Sequence, residues 1–170
     1  GYHAKRLGVQ INFAPVVDIN TNPDNPIIGS RSFGEDKYNV ADKALSYMKG
    51  MQSKNLLGSA KHFPGHGDTK TDSHYTLPLI SFSAERIDSI ELYPFKKLIK
   101  NNIASIMTAH LNIPSLQEGD LQSTLSKKIL TNLLKDDLGF QGLIVTDALD
   151  MKGVVDFSKK EFADVSAMNA

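Results

Sequence analysis

Leu57-Gly58-Ser59-Ala60-Lys61-His62 is a run of small and apolar residues that closes on two ionisable side chains and passes directly into Phe63-Pro64-Gly65-His66-Gly67. A run this short, bounded by Pro and Gly, reads as a strand, and its continuous rather than alternating apolarity suits a strand buried on both faces of a parallel sheet. Similar runs lie on either side of it, at Val9 to Val17, Ile103 to Ala109 and Leu143 to Thr146, each followed by a polar or Gly-rich segment and then a helical pattern. The repeat length is roughly 45 residues, that of a strand plus a helix, so the expected fold class is α/β built from βα units.

The intervening helices are punctuated. The first, about Lys37 to Lys54, places Val40, Ala44, Tyr47, Met48 and Met51 on one face. The second begins after Ser83 and should kink or break at Pro94, which lacks a backbone donor. In the third, Ser126 can cap a stripe of Ile129, Leu130, Leu133, Leu134 and Leu138 before Gly139 stops it. Two connections, Asn20 to Glu35 and Phe63 to Ser81, are too long for simple turns, and both follow the C-terminal end of a strand. In α/β sheets and barrels that is the end where ligands bind.

Composition narrows the function classes. The chain has 170 residues, 41% hydrophobic and 22% charged, which fits one globular domain. With 19 basic against 19 acidic residues the formal net charge is zero, so no global field draws in nucleic acid or an anionic membrane surface. The absence of Cys excludes disulfides, thiolate metal sites and a cysteine nucleophile. No apolar run approaches the roughly 18 residues of a membrane helix. The chain opens at Gly1 without a Met, a charged n-region or an apolar h-region, so a targeting segment would lie upstream and the compartment stays open.

Each run ends in ionisable residues: Asp18, the pair Lys61 and His62, His110, and Asp147. Singly, an Asp after a strand is commonly a cap and a lone His a structural residue. Together, on parallel strands, they share one rim, which is how a barrel assembles a site from separate loops. The densest segment, Lys61 to His74, holds three His, two Asp and two Lys in fourteen residues. One reading is a divalent metal held by His62 and His66 with Asp68, Asp72 or His74. Against it, Pro64 and Gly65 break any helix that would align the two histidines. The other reading is acid/base chemistry, with Asp72 fixing the tautomer of His74 and raising its basicity.

The string Lys61 to His74 closely resembles the KHFPGHG-x4-DSH signature of glycoside hydrolase family 3, in its bacterial β-N-acetylglucosaminidase branch. Asn12-Phe13-Ala14-Pro15-Val16-Val17-Asp18, Arg31-Ser32-Phe33-Gly34 and Thr146-Asp147-Ala148-Leu149-Asp150-Met151 match in the same order, so the resemblance spans about Leu7 to Met151. It implies a (β/α)8 barrel of which about four βα units are present. It also implies removal of terminal non-reducing β-N-acetylglucosamine, with peptidoglycan fragments (muropeptides) as the natural substrate in the cytoplasm or cell envelope. By the resemblance Asp147 is the nucleophile. The residues agree, because Asp147 ends a strand while Asp150 lies in the following loop. His74, paired with Asp72, falls on the acid/base position, on a loop expected to open and close. Lys61, His62 and Arg31 fall on sugar-binding positions, and Asp18 and His110 on positions near the pocket. The implied retaining double displacement calls for no cofactor and no metal.

A whole barrel takes about 250 residues. The expectation is therefore a partial barrel over residues 1–170, without the N-terminal and C-terminal barrel strands and without the family's sugar-binding Asp and Arg upstream of the first run. Open edges of that kind predict an edge-mediated dimer and weak or no activity for the chain alone. Two other readings stay open: a non-catalytic saccharide-binding fragment, and a metal-dependent hydrolase at the His cluster.

Overall fold

A computed structural model describes residues 1–71, 76–117, 119–151, 154 and 163–170. Its strands are β1 (Ile11–Asn12), β2 (Leu57–Phe63), β3 (Ser105–Thr108) and β4 (Leu143–Thr146), all parallel and adjacent in chain order. Its α-helices are α1 (Tyr2–Arg6), α2 (Lys37–Gln52), α3 (Ala84–Ser89), α4 (Leu92–Ile99) and α5 (Ala163–Asn169), with a π-helix over Lys128–Asp137 between β3 and β4. Sequential parallel strands with helical crossovers make the wall of a (β/α) barrel, open between β1 and β4, which is the expected fold class.

β1 is shorter than the Val9 to Val17 run because Pro15 brings no donor to the ladder. Pairing nonetheless continues: Ser59 N donates to Ala14 O, Lys61 N to Pro15 O at 3.1 Å, and Val17 N to Lys61 O at 2.7 Å. Asp18 is thereby set beside the end of β2. Further along, Lys61 pairs with Met107, Phe63 with Thr108, and Thr108 with Thr146, which levels the ends of β2, β3 and β4.

α2 and α4 pack on each other and on β2. Between them Phe63 and Phe95 meet edge to face at 5.2 Å, within a core that includes Val40, Met48, Leu92 and Leu98. On α2 the buried residues are Val40, Ala41, Ala44, Met48 and Met51, capped by Asp36, which accepts from Asn39 N at 2.8 Å. Tyr47, expected on this face, is instead largely exposed and leans on the Phe33 ring. The second predicted helix is indeed two helices. Ser83 caps α3 by accepting from Arg86 N, and the break falls at Ile90 and Glu91, so that Pro94 sits in the first turn of α4, where its missing N–H costs nothing. Ser126 accepts from Ile129 N at 3.4 Å, as expected of a cap, and Gly139 follows the π-helix at φ +69°.

Candidate active site

The ends of β2, β3 and β4 carry Lys61, His62, His110 and Asp147, and the turn after β1 carries Asp18. Asp147 follows β4 directly. Its N–H donates to Thr108 O at 3.1 Å, and its Oδ1 accepts from Ala148 N at 2.9 Å, leaving the half-buried carboxylate on the rim. Leu149 and Asp150 lie beyond it in the turn, with Asp150 exposed.

His110 is buried two residues past β3, and its Nε2 lies 3.1 Å from Ala148 O. Burial pushes its pKa down against the opposing charge of Asp147, so the ring is held neutral. A carbonyl only accepts, so Nε2 carries the proton and Nδ1 is a bare acceptor. Nδ1 is buried and has no hydrogen-bond partner among the described residues.

Lys61 is half-buried. Burial and the neighbouring Arg31 charge lower its pKa, while Asp147 and Asp18 act to raise it. Those couplings gather Lys61, Arg31, Asp147 and Asp18 into one electrostatic cluster. Arg31 closes the short 3-10 turn Gly29–Arg31, where its Nη1 donates to Ile27 O at 3.2 Å and its side chain is exposed. The turn is anchored by Ser32, whose hydroxyl donates to Asp18 O at 2.6 Å.

Asp18 is the most deeply enclosed of the group. Its carboxylate accepts from His62 N at 3.2 Å through both oxygens, from His66 N at 2.7 Å, and from His62 Nδ1 at 2.7 Å. Burial alone would raise its pKa; the charges and hydrogen bonds of His62 and His66 overcome this and hold it below the ordinary value. His66 Nδ1 lies 2.7 Å from Thr69 Oγ1.

Several contributors were not singled out from sequence. Asn25, buried, donates from Nδ2 to His66 O at 2.9 Å and accepts from Ile27 N and Ile28 N, lacing the segment after β1 to the segment after β2. Thr21 Oγ1 donates to Asp68 Oδ2 at 2.9 Å. Arg86 donates to both oxygens of the buried Glu91 at 2.6 Å and stands 3.7 Å from Asp68. The Asn-Pro-Asp-Asn-Pro stretch signals a turn, but nothing in it marks Asn25 as the brace. Gly67 lies so close to the backbone of Ile19 that a Cβ there would sit 1.9 Å from Ile19 O.

Asp72 and His74 lie outside the described residues. Among the described residues no group of three or more His, Asp or Glu is placed to hold a metal ion. The Nδ1 atoms of His62 and His66 already face Asp18 and Thr69.

The comparisons agree with this geometry. The chain is 40% identical to beta-hexosaminidase A of Pseudoalteromonas piscicida, over all of this chain and 30% of that protein. It superposes with a TM-score of 0.97 and 40% identity on a glycoside hydrolase family 3 beta-N-acetylglucosaminidase from Paenibacillus sp. str. FPU-7, covering 99% of this chain and 32% of that one. The native NagZ structure from Neisseria gonorrhoeae gives 0.85 and 30% identity, covering 97% of this chain and 47% of that one. The chain thus spans about a third to a half of these relatives. The family model described as the glycosyl hydrolase family 3 N terminal domain matches residues 1–170. An open wall of parallel strands with a carboxylate, a lysine and two histidines at its C-terminal rim is therefore no isolated arrangement, and the chain belongs to the glycosyl hydrolase family 3 N-terminal domain family.

Proposed function

We propose that this chain carries the nucleophile and much of the sugar site of a retaining β-N-acetylglucosaminidase. The observation that supports it most directly is the placement of Asp147 at the end of β4, level with the Lys61 and His62 end of β2, in a chain so similar to named β-hexosaminidases. Asp147 attacks the anomeric carbon, and the departing oxygen takes a proton from His74, which Asp72 orients. Water then cleaves the glycosyl-enzyme with His74 as base, returning both groups to their starting states. An imidazole in the acid role avoids the like-charge repulsion that two close carboxylates must manage. Lys61 and Arg31, which only donate, suit sugar hydroxyl and carbonyl oxygens; the bare Nδ1 of His110 suits an N–H or O–H. The proposed natural substrate is a peptidoglycan fragment ending in β-linked N-acetylglucosamine.

Intact mass after exposure of the full-length protein to an activated 2-acetamido sugar that traps the glycosyl-enzyme tests the reading. Wild type should gain one sugar, and Asp147→Asn none. A folded protein that cleaves aryl β-N-acetylglucosaminides yet never labels at Asp147 overturns the mechanism. Absence of any such cleavage overturns the substrate.

A further inference from the structure

Asp18 falls on a position beside the pocket, yet its side chain has no exposed surface, against 6% for the His62 side chain above it. All of its accepting capacity faces inward. His66 N and His62 N reach Oδ1 at 2.7 and 3.2 Å, while His62 Nδ1 and, again, His62 N reach Oδ2 at 2.7 and 3.2 Å. A sugar hydroxyl has no route to either oxygen without dismantling these bonds. An ionised carboxylate cannot donate, so the proton in the 2.7 Å contact belongs to His62 Nδ1, and the ring nitrogen left for other work is Nε2. The same carboxylate holds two backbone amides four residues apart in the chain, at His62 and His66, and His66 is tied in turn to Thr69 and Asn25. One anion thus fixes both the ring and the path of the segment that leaves β2.

We propose that Asp18 is a positioning residue rather than a sugar ligand: it locks His62 in its Nδ1–H form and anchors the segment after β2, so that Nε2 is the nitrogen presented to the sugar. Carboxylates that orient a functional imidazole through its other nitrogen behave this way at metal sites, where losing one costs about 10–100-fold in affinity or activity. The part of this inference that concerns sugar rests on the glycosidase reading; the part that concerns the tautomer does not.

Replacement by asparagine makes a sharp test, because the amide keeps the shape but has one acceptor and one donor end. With two backbone N–H groups to satisfy, the amide oxygen must turn to them and the NH2 group to His62 Nδ1. That nitrogen must then accept, and the proton moves to Nε2. The experiment uses full-length protein labelled with 15N-histidine, with the His62 ring signals assigned through His62→Gln. Long-range proton–nitrogen spectra should show Nδ1 protonated in wild type and the proton transferred to Nε2 in Asp18→Asn. The kcat/KM for an aryl β-N-acetylglucosaminide should fall about 10–100-fold in Asp18→Asn, and the Asp18→Asn/His62→Gln double variant should be no worse than His62→Gln alone. A wild-type His62 with no proton on Nδ1 overturns the proposal even if the variant does not fold. So does an unchanged tautomer in Asp18→Asn, or a double variant in which the two losses multiply. A tautomer that reverses as expected in a protein that cleaves no β-N-acetylglucosaminide upholds the positioning role and overturns the glycosidase reading.

Discussion

His110 shows how one buried ring can be read twice, once as a hydrogen-bond donor and once as a source of pH sensitivity. Its Nε2–H holds Ala148 O, next to the proposed nucleophile, and burial keeps the ring neutral. Between the ordinary histidine value of 6.5 and its own lowered value, the unfolded chain binds a proton that the folded chain refuses. The His110 contribution is therefore complete above that window and is lost as pH falls through it. Asp18 acts lower on the scale: its folded value is below the ordinary 3.8, so the stability it lends is present above 3.8 and lost as pH falls through the folded value. Urea unfolding at about pH 7.5 and about pH 5.5 should show a lower midpoint at the acid end, and His110→Phe should flatten that difference. The same substitution removes one of the two hydrogen bonds on Ala148 O, which also accepts from Met151 N at 3.3 Å, at a cost of about 0.5–1.5 kcal/mol in stability at neutral pH. A His110→Phe protein that keeps the wild-type pH slope would show that another group titrates. None of this depth was legible in the sequence. Asp18, His110 and Asp147 read alike as polar residues after strands, and only the fold separates a sealed anion, a neutral buried ring and a carboxylate on the rim.

At the level of elements, what could be read was whatever burial alone dictates. β2 and β3, both largely buried, fall within a residue or two of their predicted runs because a strand covered on both faces must be apolar throughout, and β4 matches its run although it is only partly covered here. The Val9 to Val17 run overextends β1 because apolarity cannot register the missing donor of Pro15. Ile129, Leu130 and Leu134 face inward as their stripe predicts, but their spacing serves the wider π pitch as well as the α pitch, so the helix type is not legible in the sequence. The segment after β2 was recognised by its residues, whereas its bracing by Thr21, Asn25, Arg86 and Glu91 depends on contacts between separate elements. Gly67 lets this segment lie on Ile19, and a methyl group there has nowhere to go. Gly67→Ala should destabilise the full-length protein by about 1–3 kcal/mol and displace the histidine segment, lowering sugar turnover more than the stability loss explains. Gly50→Ala is the paired control: Gly50 lies within α2 with open space where its Cβ would be, so the change should stabilise by about 0.5–1 kcal/mol. Thermal melts and turnover of the two variants, compared side by side, check both; equal and opposite shifts without a turnover defect in Gly67→Ala would remove the segment's special role.

At the largest scale, the described residues form an open wall. β1 pairs only with β2 and β4 only with β3 among the described residues, so each presents an unpaired backbone edge. Beside β4 lies a groove of about 650 Å³ lined by Leu143, Val145, Leu149 and Met168, and Leu143 and Met168 are 49% and 86% exposed. A parallel strand is normally covered on both faces and paired on both sides, and apolar surface left beside an unpaired edge is a template for another strand. The net charge of zero supplies no long-range repulsion to keep two such edges apart. The 170-residue chain expressed by itself should therefore self-associate, its light-scattering mass rising with concentration. Leu143→Lys and Met168→Lys together should restore the monomer mass, because a lysine at the edge of a sheet opposes pairing without touching the hydrogen bonds between β3 and β4. Association that persists unchanged in the double variant would place the adhesive surface elsewhere, with the β1 edge, where Ile11 and Leu57 are 38% and 42% exposed, the next to charge. A wild-type chain that stays monomeric at every concentration would mean that edge exposure on this wall is too limited to drive association.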